Sequence, residues 1–553
     1  MSNATGQAGT SPHDPVDQKT SIKETLTSIA IAFALAFVFR GFVVEAFLIP
    51  TGSMAPTLLG QHMRFVSPAS GVDWAVSPRE YGQGGPADPR PFQGSPGSPV
   101  DAVDPMTGYT ISQYGVRTRG GDRIFVMKYL TSVYDPKRYD VVVFKNPNDP
   151  AQNYIKRLLG LPNEQVALID GDIFRRDWKP GEESVANPWA LDGWRVARKP
   201  ERAQLATWQP LFDSEYSPLS EERDGRTFFV SPWVGVGQGE TGSAWQIQGR
   251  KNYRYTGAGA TRLEWNNQRR PITDSYAYNQ IPPRGMLSSQ FPVGDVRVST
   301  GIRPDAAGLG VSLVIVSHKH EFRAEFAPAG EGRRTLAMKM RKAGAEPGEW
   351  TTLASADNVP ALDAGTVTDV DFWHVDQSLS LFVNGTRVLH AEYDWTPAQR
   401  LENALGLTLD QVMAGPADLL TREENGTQPR VWIEFDGGSF ELCRTALARD
   451  LHYRADTYHP RHTLAGRPAR CTHPTSTPSL GPDQFFVCGD NSPESLDARL
   501  WDVPEPWVSL NDPTIGTVHR DLLIGKAFFV YFPAMYRNGK IPVPDFGRMR
   551  FIW

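Results

Sequence analysis

A mainly β protein, with one N-terminal transmembrane helix and a second β body inserted into the first, is the fold class this sequence predicts. Three observations predict it. The 553 residues include 50 glycines and 45 prolines, with 40% hydrophobic and 22% charged residues, a loop-rich globular composition without the bias of long helices. Apolar and β-branched residues recur in short runs bounded by turn residues. One long apolar stretch, Leu26 to Val44 with Arg40 near its end, stands close to the start; about 20 such residues cross a bilayer core, and an arginine at one end can snorkel to the interface.

Length alone suggests roughly three or four domains of about 150 residues. The formal net charge is −5 and no lysine or arginine cluster stands out, which argues against a nucleic-acid partner. Cys443, Cys471 and Cys488 are spaced too widely for a Cys-x-x-Cys metal site and are odd in number. They read as structural, with a Cys471 to Cys488 bridge left open.

Taken in order, residues 1–24 form a polar tail, expected to be disordered and cytoplasmic. Residues 25–46 form the membrane span. Lys19 and Lys23, partly offset by Asp14, Asp17 and Glu24, favour a cytoplasmic tail by a small margin. A cleavable secretory signal ending at Val44-Glu45-Ala46 is the alternative. Beyond the span, residues 47–224 and 445–553 are expected to form one domain, broken by an irregular insertion at 67–119 and by a β-sandwich at 225–444.

The chain is organised around Ser53. Pro50 and Pro56 flank it, so no helix can run through, and the serine sits on a turn. A hydroxyl is a weak nucleophile without a base and an oxyanion site, so this turn alone does not distinguish a catalytic serine from an ordinary Gly-Ser bend. Strand signals follow at 121–129 and 137–145. In the strand beginning at Asn153, alternation places Lys156 between Tyr154 and Leu158 on one face. An apolar surround disfavours the ammonium and moves a lysine toward the range of a general base; an edge lysine that snorkels is the alternative. Near the end, the apolar run from Phe485 enters a Gly-Asp-Asn-Ser-Pro turn with Ser495, Asp497 and Arg499 at alternate positions, able to present a hydroxyl braced by an ion pair. The run Leu522 to Pro533 reads as a buried closing strand.

Four stretches together resemble the bacterial type I signal peptidases, membrane-bound serine proteases that remove signal peptides from exported proteins. They are Ile-Pro-Thr-Gly-Ser-Met-Ala-Pro-Thr-Leu at 49–58, Lys-Arg-Tyr-Asp-Val-Val-Val-Phe at 137–144, Tyr-Ile-Lys-Arg-Leu-Leu-Gly-Leu-Pro at 154–162, and Gly-Asp-Asn-Ser followed by Ser-Leu-Asp-Ala-Arg at 489–499. The resemblance implies Ser53 as nucleophile and Lys156 as its base. Thr51 and the Ser53 amide would hold the oxyanion, Ser495 would orient the lysine, and Asp497 with Arg499 would support the loop. Phe47, Ile49, Val143 and Ile155 match positions lining pockets for an Ala-x-Ala site, and Asn153 and Tyr154 lie on the same substrate-binding strand. The implied partners are signal-peptide-bearing preproteins and the lipid bilayer. The implied location is the bacterial cytoplasmic (inner) membrane, with the catalytic domain on the outer side; no cofactor or metal is implied. Two departures from the family pattern are Tyr139, where glycine is usual, and Ala498, where serine is usual.

The block at 225–444 is not needed by such a core, and excising roughly 225–440 is expected to leave some activity. Its alternating strands suggest an antiparallel, jelly-roll-like sandwich similar to laminin G or concanavalin folds, with a hairpin turn at Asn384-Gly385. A glycan or protein ligand, or a purely structural role, are both open for it. His318, His320, His374 and His390 fall here and read as core or surface histidines rather than a metal site. The competing reading is a membrane-anchored binding protein on a retired protease scaffold. A penicillin-binding type of hydrolase fits less well, because Pro56 stands where that class needs lysine.

Overall fold

The computed structural model describes residues 22–78, 97–128, 135–179, 185–223, 226–237, 244–247, 249–280, 290–330, 333–344, 349–360, 362–538, 541–543 and 545–553. The expected disordered tail lies largely outside them, as does the middle of the 67–119 segment.

Helix α1 covers Ile22–Phe42. It ends sooner than the span expected to residue 46, because Val44–Leu48 leave it to form strand β1 and pair with Arg123–Met127. Leu26, Ile29, Ile31, Phe33, Leu35 and Phe37 are all exposed along the helix. Among the described residues no helix is long and apolar enough to cross a membrane.

The four stretches quoted from the sequence converge on one eight-stranded sheet. Its strands are β1, β2 (Arg123–Met127), β3 (Val141–Asn146), β4 (Asp149–Gly160), β5 (Gln484–Cys488), β6 (Val518–His519), β7 (Leu523–Phe532) and β8 (Arg550–Phe551). They lie in the order β1-β2-β7-β3-β4-β5-β6, with β8 on β7, and every pairing is antiparallel. Strands β3 and β4 are buried on both faces over residues 141–144 and 155–160, so these stretches form the centre rather than a half-solvated surface. Two apolar clusters cover the sheet: Ile49, Met54, Leu58, Val143 and Ile155 contribute to one, and Phe144, Leu158, Phe486 and Trp501 to the other.

The 67–119 segment, expected to be irregular, contains ordered hairpin strands at Asp73–Val76, Val100–Val103 and Thr110–Gln113. Trp74, Val76, Val100 and Ile111 bury themselves with Met63 and Phe65 in a small core of their own. Its glycines and prolines punctuate short strands, which is why no periodicity shows in the sequence.

The inserted body is a sandwich of two antiparallel sheets, one of eight strands and one of seven, enclosing a single apolar core that includes Trp233, Tyr253, Val298, Leu313, Phe372 and Phe435. It begins earlier than expected from sequence: Gln209–Asp213 pairs with the last long strand, Phe440–Arg449, so that Gln209 faces Arg449. The chain therefore leaves and rejoins the catalytic unit at neighbouring points. Asn384 (φ 48°) and Gly385 (φ 76°) form the hairpin turn between Ser378–Val383 and Thr386–Glu392.

The sandwich is not a pendant. Leu401 and Val412, from the inserted body, pack with Ile169, Phe174, Trp189 and Trp194 of the catalytic side. Lys199 Nζ lies 2.6 Å from Asp376 and 2.8 Å from Asp450, all three buried. Arg400 reaches Asp170 at 3.0 Å and Asp172 at 3.3 Å.

Candidate active site

The turn at 51–58 is shaped by its own residues. Ala55 N donates to Gly52 O and Leu58 N to Met54 O, each at 2.9 Å. Met54, Ala55 and Leu58 are fully buried, so the turn is anchored by apolar side chains and Ser53, between them and Gly52, is left half-buried. Gly489 explains the close approach of the second loop: a Cβ there would lie 2.4 Å from Ser53 O and 2.2 Å from Ser495 Oγ. Only glycine lets these two backbones touch.

Lys156 approaches from β4, opposite Val142 of β3. It is 3% exposed, and its amine donates to Ser53 Oγ at 2.7 Å. Burial lowers its pKa from 10.5 to about 8, against the raising influence of Asp497 and Cys488. The Tyr154 ring centroid lies 5.3 Å from Nζ.

Asp497 and Arg499 form a fully buried bidentate pair, Nε to Oδ1 and Nη2 to Oδ2, both 2.9 Å. Burial pushes the Asp497 carboxyl up, but the Arg499 charge and hydrogen bonds outweigh it and hold the pKa below the usual value. Asp497 Oδ2 also accepts from Gly489 N at 2.9 Å, so the pair fixes the glycine that meets Ser53. Ser495 is 5% exposed, and its Oγ has no hydrogen-bond partner among the described residues. The expected bond from Ser495 to Lys156 is therefore not made; the hydroxyl instead packs over Gly489. Thr51 is exposed at the mouth of the turn.

Phe47, Ile49, Val143 and Ile155 gather in one apolar cluster with Met54, the residue after the serine. Val143 lies directly across from Ile155, and Tyr154 from Phe144. Strand β5 pairs with β4 only from Arg157 onward. The other edge of Asn153 to Lys156 therefore carries no strand among the described residues, and Asn153 is exposed there.

Sequence reasoning passed over several residues that build this site. Arg157 and Asp490 form a pair with both side chains at 0% exposure and contacts of 2.7 and 2.6 Å. Thr57 Oγ1 donates to the same carboxylate at 2.6 Å, and Arg157 also donates to the carbonyl of Trp553 at 2.8 Å. Both charged residues sit inside the quoted motifs, and only their adjacency to the candidate groups signalled them. Asn491 also reaches the serine turn, as does Tyr278 of the inserted body, while Tyr276 and Asn279 of that body bond to Asp490 and Asn491; nothing local in the sequence marks those three.

Tyr139 has φ 72°, a left-handed conformation that explains why glycine is usual there. Its ring is 3% exposed in the larger catalytic core, and its hydroxyl donates to Ala197 O. Ala498 is fully buried. All three cysteines are free, with Cys471 and Cys488 buried.

Of the four histidines in the inserted body, His318 and His374 are buried near Asp295, with possible ligand atoms within 4.8 Å of one another. The ring nitrogens are already engaged: His318 with Asp170 at 3.1 Å and Arg400 at 3.3 Å, His374 with Gly294 O at 3.1 Å and Tyr393 at 2.8 Å. The Arg400 guanidinium also reaches Asp170 and Asp172 beside the group. This arrangement is a polar junction between the two bodies.

Two segments, residues 22–78 and 115–216, match the signal peptidase family, peptidase S26. Most of the inserted sandwich lies outside these two segments. Over 206 residues it is 28% identical to signal peptidase I of Rickettsia prowazekii (strain Madrid E), covering 37% of this chain and 62% of that one. Over 225 residues it is 27% identical to signal peptidase I of Rickettsia canadensis (strain McKiel), covering 39% and 69%. The chain thus spans 62% of the length of the first of these relatives. Among solved structures, a carbohydrate binding module from Bacillus subtilis aligns over 39% of this chain and 95% of its own, at 9% identity and a TM-score of 0.23. Caenorhabditis elegans galectin LEC-6 aligns over 37% and 100%, at 13% identity and a TM-score of 0.19.

Proposed function

We propose that this protein is a membrane-bound serine endopeptidase that removes signal peptides from exported preproteins after Ala-x-Ala sites. The observation that supports it is the 2.7 Å contact between Ser53 Oγ and the Nζ of a lysine buried to 3% exposure. Neutral Lys156 takes the Ser53 proton as Oγ attacks the scissile carbonyl. The oxyanion forms beside the Ser53 amide, which donates to nothing among the described residues, and the exposed Thr51 hydroxyl. Lys156 then gives its proton to the departing amine, and water hydrolyses the Ser53 ester with the same lysine as base.

Substrate adds as a strand along the open edge of Asn153 to Lys156, where main-chain hydrogen bonds supply affinity and the pockets beside Phe47, Ile49, Val143 and Ile155 admit only small side chains. Asp497 and Arg499 hold Gly489 against the serine turn. Ser495, in this reading, turns toward the amine once substrate displaces the Ser53 hydroxyl from its resting contact. Helix α1, although not by itself long and apolar enough to cross, exposes apolar residues along its length, and in this reading it holds the protein at the cytoplasmic membrane with the catalytic sheet outside.

The test is cleavage of a preprotein bearing an Ala-x-Ala junction by the detergent-solubilised chain, beside Ser53→Ala and Lys156→Met, across a pH series. Cutting after the second alanine is expected, lost in both variants, with a rate that rises with pH through about 8 as the amine loses its proton. Cleavage retained by Lys156→Met would overturn the dyad.

A further inference from the structure

Residues of the inserted sandwich hold the peptide that carries the candidate nucleophile. Tyr278 packs its ring on Gly52: a Cβ at that glycine would lie 2.2 Å from Tyr278 Cε1 and 2.6 Å from Cζ. The Tyr278 hydroxyl donates to Gln61 O at 2.8 Å, and its carbonyl accepts from Ser77 N at 2.7 Å. Asn279 and Asn491 form a reciprocal amide pair, with Nδ2 to Oδ1 distances of 2.7 and 2.9 Å. Asn491 Nδ2 also donates to Gly52 O at 3.0 Å, and Asn491 N to Ser53 O at 3.1 Å. Tyr276 donates to the carbonyl of Asp490 at 2.8 Å, under the Arg449 guanidinium at 4.3 Å from its ring.

The segment bearing these residues is itself tied to both bodies. Ile272 N donates to Gln428 Oε1 at 3.0 Å within the sandwich. Asp274 pairs with Arg454 of the catalytic side. Tyr276, Tyr278 and Asn279 are each under 8% exposed, at 7%, 5% and 6%.

We propose that Tyr278 and Asn279 are positioning residues for catalysis, through the Gly52–Ser53 peptide. A peptide unit is planar and trans, so its N–H points opposite to its C=O. Fixing the Gly52 carbonyl through Asn491 therefore fixes the direction of the Ser53 N–H, the donor assigned above to the oxyanion. Asn279 accepts one amide proton of Asn491 and donates to its carbonyl, which leaves the other amide proton aimed at Gly52 O. The Tyr278 ring closes the side toward which that peptide could rotate. The inserted sandwich is thus part of the catalytic apparatus, and this inference rests on the proposed peptidase reading.

The experiment uses the full chain in detergent, with Asn279→Ala, Asn491→Ala, their double variant, Tyr278→Ala and Tyr278→Phe. Loss of one oxyanion donor typically costs about 100- to 1,000-fold in kcat; mispositioning it through Asn279→Ala or Tyr278→Ala is expected to cost at least about tenfold, with KM changed less than about threefold. The Asn279→Ala and Asn491→Ala losses should be strongly non-additive, because both act through one carbonyl. Tyr278→Phe, which keeps the ring over Gly52, should recover most of what Tyr278→Ala loses. Hydrogen exchange of residues 51–59 is measured on the same samples: protection should fall in Asn279→Ala and Tyr278→Ala while the strand at 296–304 stays protected. If the wild type cuts no preprotein, the peptidase reading fails, and the exchange result alone decides whether the sandwich braces the turn. Wild-type kcat with unchanged protection at 51–59 in both alanine variants would overturn the proposal.

Discussion

Lys156→Met should make the protein more stable while removing its activity. The folded-state pKa of Lys156 is depressed from 10.5 to about 8, mainly by burial. Below a pH of about 8 the chain must therefore fold against its preference to keep the ammonium in water. Each tenfold weakening of proton binding is worth about 1.4 kcal/mol, so the cost is about 3 kcal/mol at neutral pH. Its sign follows from the lowered pKa: the cost is full below the folded value, declines as pH rises from there toward 10.5, and vanishes above it. Methionine of similar length keeps the apolar stem packed but loses the bond to Ser53, worth about 1 kcal/mol. The net gain is about 2 kcal/mol at neutral pH and turns into a small loss at high pH. Urea unfolding of both proteins, followed by far-ultraviolet circular dichroism from about pH 6 to 10, should show the variant's advantage shrinking as pH rises. A pH-independent difference, or a variant less stable at neutral pH, would refute the claim that this lysine is held against its charge.

Ser53→Ala should abolish cleavage of the Ala-x-Ala preprotein while leaving circular dichroism unchanged, since the residue is half-buried and contributes no packing that alanine lacks. Asp490→Ala leaves Arg157 uncompensated at 0% exposure, and unfolding measurements should register a loss of about 3–5 kcal/mol. Tyr139→Gly relieves a left-handed tyrosine, worth about 1–2 kcal/mol, but empties a ring site 3% exposed. The cavity cost of about 3–5 kcal/mol should prevail in a thermal scan. A thiol reagent should label the half-buried Cys443 in the folded protein and reach Cys471 and Cys488 only on unfolding.

The catalytic sheet was legible because its signals are local. The β-branched run at 141–143 and the stretch at 154–159 form strands that are largely buried, and the prolines around Ser53 force a turn whichever way the rest of the chain packs. Burial of Lys156 was readable only as an alternation of neighbours; its depth comes from β3 beside it and the serine turn against its amine, which no window of sequence contains. The 67–119 segment misled because its strands are four residues long and set among glycines, so tertiary burial of Trp74 and Ile111 supplies the order that periodicity did not announce. Ser495 was expected to reach Lys156, yet its hydroxyl packs on Gly489, a difference set by loop geometry that residue spacing does not specify. The role of Tyr276, Tyr278 and Asn279 was hidden most completely, because they lie more than two hundred residues from the groups they touch.

That separation bears on how an inserted body can be tolerated inside a catalytic fold. Gln209 and Arg449 face each other in adjacent strands, so the insertion closes on itself and imposes no stretch on β4 or β5 at either end. Such a body would be free to hang from its two joints. Here it is fastened at separate places: by Leu401 and Val412 on the β side of the catalytic unit, by Lys199 between Asp376 and Asp450, and by Tyr276 to Asn279 at the serine turn. Buried ion pairs are weak evidence for stability, since well-packed apolar residues often do as well, but they do disfavour any orientation that would leave a buried charge unpaired. A sandwich fixed in orientation can hold the Gly52–Ser53 peptide to within a fraction of an ångström, which is the tolerance an oxyanion donor requires. Excision of residues 225–440 removes that hold together with Tyr278 and Asn279. It should therefore abolish turnover, where reading the insertion as a dispensable module led to the expectation of residual activity.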